Sequence, residues 1–173
     1  MAVSFYDISI GTYLQTLGGV IGFLEKGRAH CEANGIDLNS VVETRLIPDM
    51  NPFRFQVFTV AHMTSGALEA LETGRFAPPG PTGDLDYAGL QRLVADAHAE
   101  LSKVSRESVD ALEGKQVTFQ IGDFKMLFTA PNFVLSFTHP NLFFHATTAY
   151  DMLRMKGVPI GKANFLGPMR VGV

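Results

Sequence analysis

A chain of 173 residues, 46% hydrophobic and 18% charged, is long enough to bury its own core, and residues 1–173 read as a single domain. Its net charge of −3, pI near 5.9 and lack of a Lys/Arg run exclude the basic stripe that nucleic-acid binding needs. The lone cysteine, Cys31, excludes an intrachain disulfide, and no apolar run reaches the roughly 18 residues of a membrane span. The start Met-Ala-Val-Ser-Phe-Tyr-Asp lacks the basic and apolar segments of a secretory signal, so a cytoplasmic location is expected.

The first helix is predicted over 7–34, capped by Asp7 or Ser9, with Ile10, Leu14, Leu17, Ile21, Leu24 and Cys31 on one face. Cys31 therefore reads as a small core residue. Gly11, Gly18, Gly19, Gly22 and Gly27 weaken this helix, which points to close packing against a neighbour. Asn34-Gly35 stops it, and a short apolar-periodic piece follows over 38–46. The second helix is predicted over 52–73, with Asn51 as N-cap, Pro52 at the first helical position and Gly74 as the stop. Phe53, Val57, Val60, Thr64, Ala67 and Leu71 form its core stripe, and Phe55, Phe58 and His62 a neighbouring one. Ala77-Pro-Pro-Gly-Pro-Thr-Gly83 reads as a surface connection.

The third helix is predicted over 86–113, from a heptad seam running from Tyr87 through Leu90, Val94, Leu101 and Val104 to Ala111. Two alternating runs, Val117 to Ile121 and Phe124 to Phe128, flank Gly122-Asp123 and signal a tight hairpin. Thr129-Ala-Pro131 opens a short helix through Phe137. A break or kink is expected at His139-Pro140, because proline lacks the amide hydrogen and clashes one turn back. The fourth helix then spans 140–156, with Phe143, Ala146, Ala149 or Tyr150, and Leu153 inward, and an irregular tail follows Gly157. Leu17, Leu24, Val57, Val60, Leu90, Val94, Leu101, Phe143 and Leu153 are the expected core.

The chemistry-bearing residues are few. A helical metal site wants two histidines four apart, stacked on one face, and no pair among the five histidines has that spacing. His62 and His145 can meet only if the second and fourth helices pack together. Asp49 reads as a capping carboxylate for the second helix, and Asp151 with Arg154 as an exposed ion pair. Gly157-Val-Pro-Ile-Gly161-Lys162-Ala lacks the glycine spacing, the Ser or Thr and the preceding strand of a phosphate loop, and reads as a helix stop and turn. No nucleophile elbow or dinucleotide fingerprint occurs.

Two segments carry a family resemblance: Arg45-Leu-Ile-Pro48-Asp49-Met50 with Pro52-Phe53-Arg54-Phe55-Gln56-Val57, and Pro140-Asn141 through His145-Ala-Thr-Thr-Ala149-Tyr150-Asp-Met-Leu-Arg154 with the tail from Gly157 to Gly167. On them the chain resembles a bacterial domain-of-unknown-function family of the DinB/YfiT-like superfamily. The resemblance implies an all-α, antiparallel four-helix bundle, often dimeric, with a small β-hairpin between helices 3 and 4. Metal-binding members of that superfamily take one histidine from the second helix and an H-x-x-x-H pair from the fourth. By position His145 matches the first of the pair, His62 is the second-helix candidate, and Ala149 stands where the last ligand belongs.

The expectation is therefore a non-catalytic module with a vestigial site, a homodimer with a small-ligand pocket lined by His145, His62, Tyr150 and Asp49. It has no tightly bound metal or other cofactor, and neither a nucleic acid nor a membrane as partner. The alternative is a metal-dependent thiol S-transferase-like enzyme, with a divalent metal held weakly by His145, His62 and an altered third donor.

Overall fold

The computed structural model describes residues 3–172. The chain opens with a short helix α1 (Phe5–Ile8), whose cap is Ser4, and the side chain of Asp7 reaches back to the Ser4 amide. Helix α2 (Ile10–Ala33) follows after a one-residue break at Ser9, whose hydroxyl donates to the Phe5 carbonyl at 2.6 Å. The expected first helix is thus two pieces: α1 is capped by Ser4, upstream of Asp7, and α2 has Ser9 at its N-cap position as expected, without a side-chain capping bond. A five-residue helix α3 (Leu38–Val42) leads to α4 (Phe53–His62), α5 (Ser65–Thr73), α6 (Tyr87–Leu101) and α7 (Arg106–Asp110). Helix α9 (His139–Met155) follows a short α8 (Ala130–Asn132), and α10 (Lys162–Leu166) closes the chain.

Four helices surround the core. Both α2 and α4 pack on α6 and on α9. Leu17, Leu24, Val57, Val60, Leu90, Val94, Leu101 and Leu153 are all buried there. Phe143 is not: it is 41% exposed, and Leu142 takes the inward position with Ala146, Ala149, Met152 and Leu153. Ala146, Ala149 and Leu153 are inward as expected, and only the first position of the stripe differs, by the roughly 100° between neighbouring residues, a choice that the apolar pair Leu142-Phe143 left undetermined. Two buried hydroxyls tie helices together. Tyr87 Oη donates to the Leu24 carbonyl at 2.8 Å, and Tyr13 Oη meets Thr138 Oγ1 at 2.5 Å.

Two predicted helices are interrupted. The second divides at Met63-Thr64, where the Thr64 hydroxyl donates to the Val60 carbonyl, and its N-cap is Pro52 rather than Asn51. The third ends at Leu101 and restarts after Ser105, whose side chain accepts from the Ser108 amide. Serine side chains there compete for backbone groups and turn the chain, so the heptad seam stops short of Ala111.

Strands β2 (Gln116–Ile121) and β3 (Phe124–Thr129) pair antiparallel, with Ile121 opposite Phe124 and Gly122 at φ +56° in the turn. A further two-residue strand β1 (Arg75–Phe76) pairs parallel to β2, with Arg75 opposite Thr118, giving the order β1-β2-β3. It follows Gly74, left-handed at φ +77°, and lies just before the segment read from sequence as a surface connection. Phe76, Phe119, Phe128, Phe133 and Phe137 form one aromatic cluster, with Phe119 and Phe137 centroids 5.0 Å apart, so the sheet is held on the helices by ring packing.

No break falls at His139-Pro140. Between α8 and α9 the chain makes a wide π turn (Phe133–Thr138), and helix continues through the proline. The wider turn relieves the proline's clash one turn back, and the Asn141 side-chain Nδ2 donates to the Phe137 carbonyl at 2.7 Å.

Gly11, Gly18 and Gly19 of α2 make room for this chain's own tail. A Cβ at Gly19 would collide with the Phe165 carbonyl, and one at Gly18 would come within 2.9 Å of the Pro168 ring, while Gly22 faces open space. The tail is accordingly ordered as α10 rather than irregular, with Gln15 donating to the Leu166 carbonyl at 3.0 Å.

Leu101 is fully buried at the end of α6. Leu101→Ala is expected to lower unfolding free energy by about 2–5 kcal/mol, measured by urea titration at neutral pH. A loss of under about 0.5 kcal/mol, the size of a surface change, would contradict the close packing of that seam.

Candidate functional site

Helix α4 begins without a side-chain cap, directly after the Arg45–Asn51 turn, and lies along α9. Three residues after Phe53 on its buried face comes Gln56, a polar side chain only 2% exposed. Its amide nitrogen donates to the Asn51 carbonyl at 2.9 Å, which turns its Oε1 toward α9. There Oε1 lies 2.7 Å from His145 Nδ1. A carboxamide oxygen only accepts, so Nδ1 carries the hydrogen and the neutral ring presents its lone pair at Nε2.

The ring is half-buried, edge-on to Phe55 at 5.8 Å and to Phe144 at 5.2 Å. Burial pulls its pKa from 6.5 down to about 4. His145 is thus a neutral imidazole at physiological pH, held in one tautomer by a side chain of the facing helix.

The other residues expected beside it lie elsewhere. His62 is six residues beyond Gln56, about 120° round the helix from it. Its Nε2 donates to the Ala77 carbonyl at 2.9 Å and its ring lies 4.8 Å from that of Phe76. Tyr150 donates to the Ile160 carbonyl at 3.3 Å and packs edge-on to Phe23 and Phe165, so it pins the tail to α9. Asp49 is exposed in the turn before α4 and makes no cap there. Arg154 donates to the Val158 carbonyl at 2.9 Å, closing the end of α9 in place of the expected ion pair with Asp151. Ala149, one turn beyond His145, is fully buried.

The second-helix residue that meets His145 is therefore Gln56. A signal for it was present in the sequence: a glutamine on the apolar stripe, three residues after Phe53 and four before Val60.

A hydrogen bond from Nδ1 to a carbonyl-type oxygen, with Nε2 free, is the arrangement of an imidazole ready to ligate through Nε2. One donor does not make a site, however. Among the described residues no group of three or more His, Cys, Asp or Glu side chains is placed to hold a metal ion. The donor set present does not fit the three-histidine metal of the resemblance.

The larger cavities open away from His145. One of about 810 Å³ lies between α5 and the sheet and includes His62 in its wall. One of about 660 Å³ lies by the amino-terminal helix with His139 and Arg170, and a small one of about 190 Å³ lies beside Tyr150. No described helix is long and apolar enough to cross a membrane.

The overall fold, mostly helical with a small sheet, is that of a DinB-like protein. The structure is similar to that of a DinB family member protein from Shewanella denitrificans, with a TM-score of 0.82 and 25% identity over 97% of this chain and 94% of that one. The chain belongs to the family described as Domain of unknown function (DUF1993), which matches residues 5–166. No curated protein matches it.

Because the folded-state pKa of His145 lies below its ordinary value, the unfolded chain takes up that proton first on acidification. Its contribution to stability is complete above about pH 6.5 and is lost as the pH falls toward about 4. Between pH 7 and 4.5 the native protein should lose about 1–2 kcal/mol more than His145→Gln, a figure reduced for the ring's partial exposure. Urea midpoints across that range test this; parallel profiles would refute it.

Proposed function

We propose that this is a non-catalytic DinB-like module, an antiparallel four-helix bundle that works as a homodimer and whose pocket at His145 is the remnant of a metal site. One observation carries the reading: the neutral His145 is joined to Gln56, not to a second histidine, across α4 and α9. The buried methyl of Ala149, where the resemblance puts the remaining ligand, supports it. A small uncharged ligand that donates to Nε2 suits this position better than a cation, since one imidazole nitrogen holds a divalent metal weakly. The alternative, a metal-dependent thiol S-transferase-like enzyme, rests on the free Nε2 and needs donors from outside this cluster.

Metal analysis of protein purified without an affinity tag, followed by titration with zinc, nickel and manganese, separates the two readings. Far less than one metal per chain and only weak binding are expected, whereas a stoichiometric, tightly held ion would refute the vestigial reading. Ala149→His should then create measurable zinc affinity by placing a second imidazole one turn from His145. The new ring overpacks a buried site by about 1–3 kcal/mol, so circular dichroism must show the variant folded. A folded variant with no gain in zinc affinity would refute the assignment of position 149.

The dimer is supported by the outer face of α9, where Phe143 and Phe144 are 41% and 57% exposed in the single chain. Light scattering should give twice the 18.8 kDa chain mass, and Phe144→Glu should shift it toward one chain. A wild-type protein of single-chain mass at micromolar concentration would refute the dimer.

A further inference from the structure

The cavity of about 810 Å³ between α5 and the sheet has walls of opposite charge. On the α5 side stand Glu69, exposed, and Thr73 in the last turn. On the sheet side stand Arg75 of β1 and Lys125 of β3. Thr118 and Gln120 of β2 lie between them in register, Arg75 opposite Thr118 and Gln120 opposite Lys125. The ion pairs among the described residues are Arg54–Glu43 and Arg106–Asp7, so Glu69, Arg75 and Lys125 have no charged partner there.

His62 completes the acidic side. Its Nε2–H is fixed on the Ala77 carbonyl, which makes Nδ1 the accepting nitrogen. Gly66 leaves that nitrogen uncovered: a Cβ there would stand 3.1 Å from Nδ1. The ring is further held by Phe76, so the acceptor is set before any ligand arrives.

We infer that this cavity is a binding site for a small zwitterion, an amino acid or short peptide with free ends. The ammonium group lies toward Glu69 and His62 Nδ1, and the carboxylate toward Arg75 and Lys125. Thr118 and Gln120 are the groups available to a peptide bond between them. A volume of about 810 Å³ is in the upper part of the range for small-molecule pockets and suits a dipeptide or tripeptide better than a single amino acid. A simple anion would gain from Arg75 and Lys125 but would meet Glu69 as repulsion. A simple cation faces the reverse. Only a ligand carrying both charges satisfies both walls.

Isothermal titration of the full chain with L-alanyl-L-alanine, its N-acetyl form, its C-terminal amide and inorganic phosphate tests the site. The free dipeptide is expected to bind, and each blocked form at least about tenfold more weakly, a loss of about 1.4 kcal/mol. Glu69→Gln should weaken the free dipeptide and leave the N-acetyl form unaffected, and Arg75→Ala should do the same with the amide. Both side chains are exposed, so these variants should keep the native circular dichroism spectrum. Equal binding of free and blocked dipeptides, phosphate binding tighter than the dipeptide, or no heat from any probe at about 10 mM would each overturn the assignment. None of these outcomes bears on the metal titration at His145, which is a separate place in the fold.

Discussion

Gln56 and His145 share one hydrogen bond in the seam between α4 and α9, and much of the surrounding arrangement is bound to it. A buried carboxamide must place both its oxygen and its nitrogen, since leaving either unpaired costs about 1–3 kcal/mol. Gln56 does so by reaching back to the Asn51 carbonyl and across to His145, which fixes the start of α4 against the middle of α9. The same bond selects the imidazole tautomer, and burial keeps the ring neutral. Helix register, ring orientation and tautomer therefore follow from one constraint.

The rest of the core shows how few polar ties a largely apolar interior needs when each is well placed. Tyr87 on the Leu24 carbonyl joins α6 to α2, and Tyr13 with Thr138 joins α2 to the π turn before α9. That π turn carries the chain through Pro140 without ending the helix. Gly18 and Gly19 then let the tail after α10 lie against α2 at backbone distance. Close approach of this kind needs a missing side chain, and it offsets the helical propensity that the glycines cost.

The structure also separates two histidines that family position brought together. His145 faces the inter-helical seam, while His62 turns toward β1 and the cavity between α5 and the sheet. The seam has one neutral ring beside a carboxamide. The cavity has opposed charges without partners, on elements held rigidly by the phenylalanine cluster behind the sheet. Chemistry that depends on a metal and chemistry that depends on charge complementarity would thus belong to different parts of the molecule.

Helical class and most of the core were legible in the sequence, because apolar spacing, caps and glycine stops are local signals, and the family was legible through the resemblance of two segments. Leu17, Val57, Leu90 and Leu101 lie on stripes with one clear phase, and all are buried. Phe143 shows the limit: beside Leu142, either residue satisfies the pattern, and only the neighbouring helix chooses between them. Breaks at Ser9, Met63-Thr64 and Ser102–Ser105 were missed because short polar side chains there bond the backbone, a competition that periodicity does not weigh. Strand β1 was beyond reach, since two residues carry no pattern and pair with β2 from some forty positions away. His145 stood out in the sequence by its place on the fourth helix, and the buried Gln56 could have been found as a polar residue on an apolar stripe. Which of His62 and Gln56 meets it depends on the rotation of α4 against α9, a quantity set by side-chain packing between helices far apart in the chain and by nothing local to either.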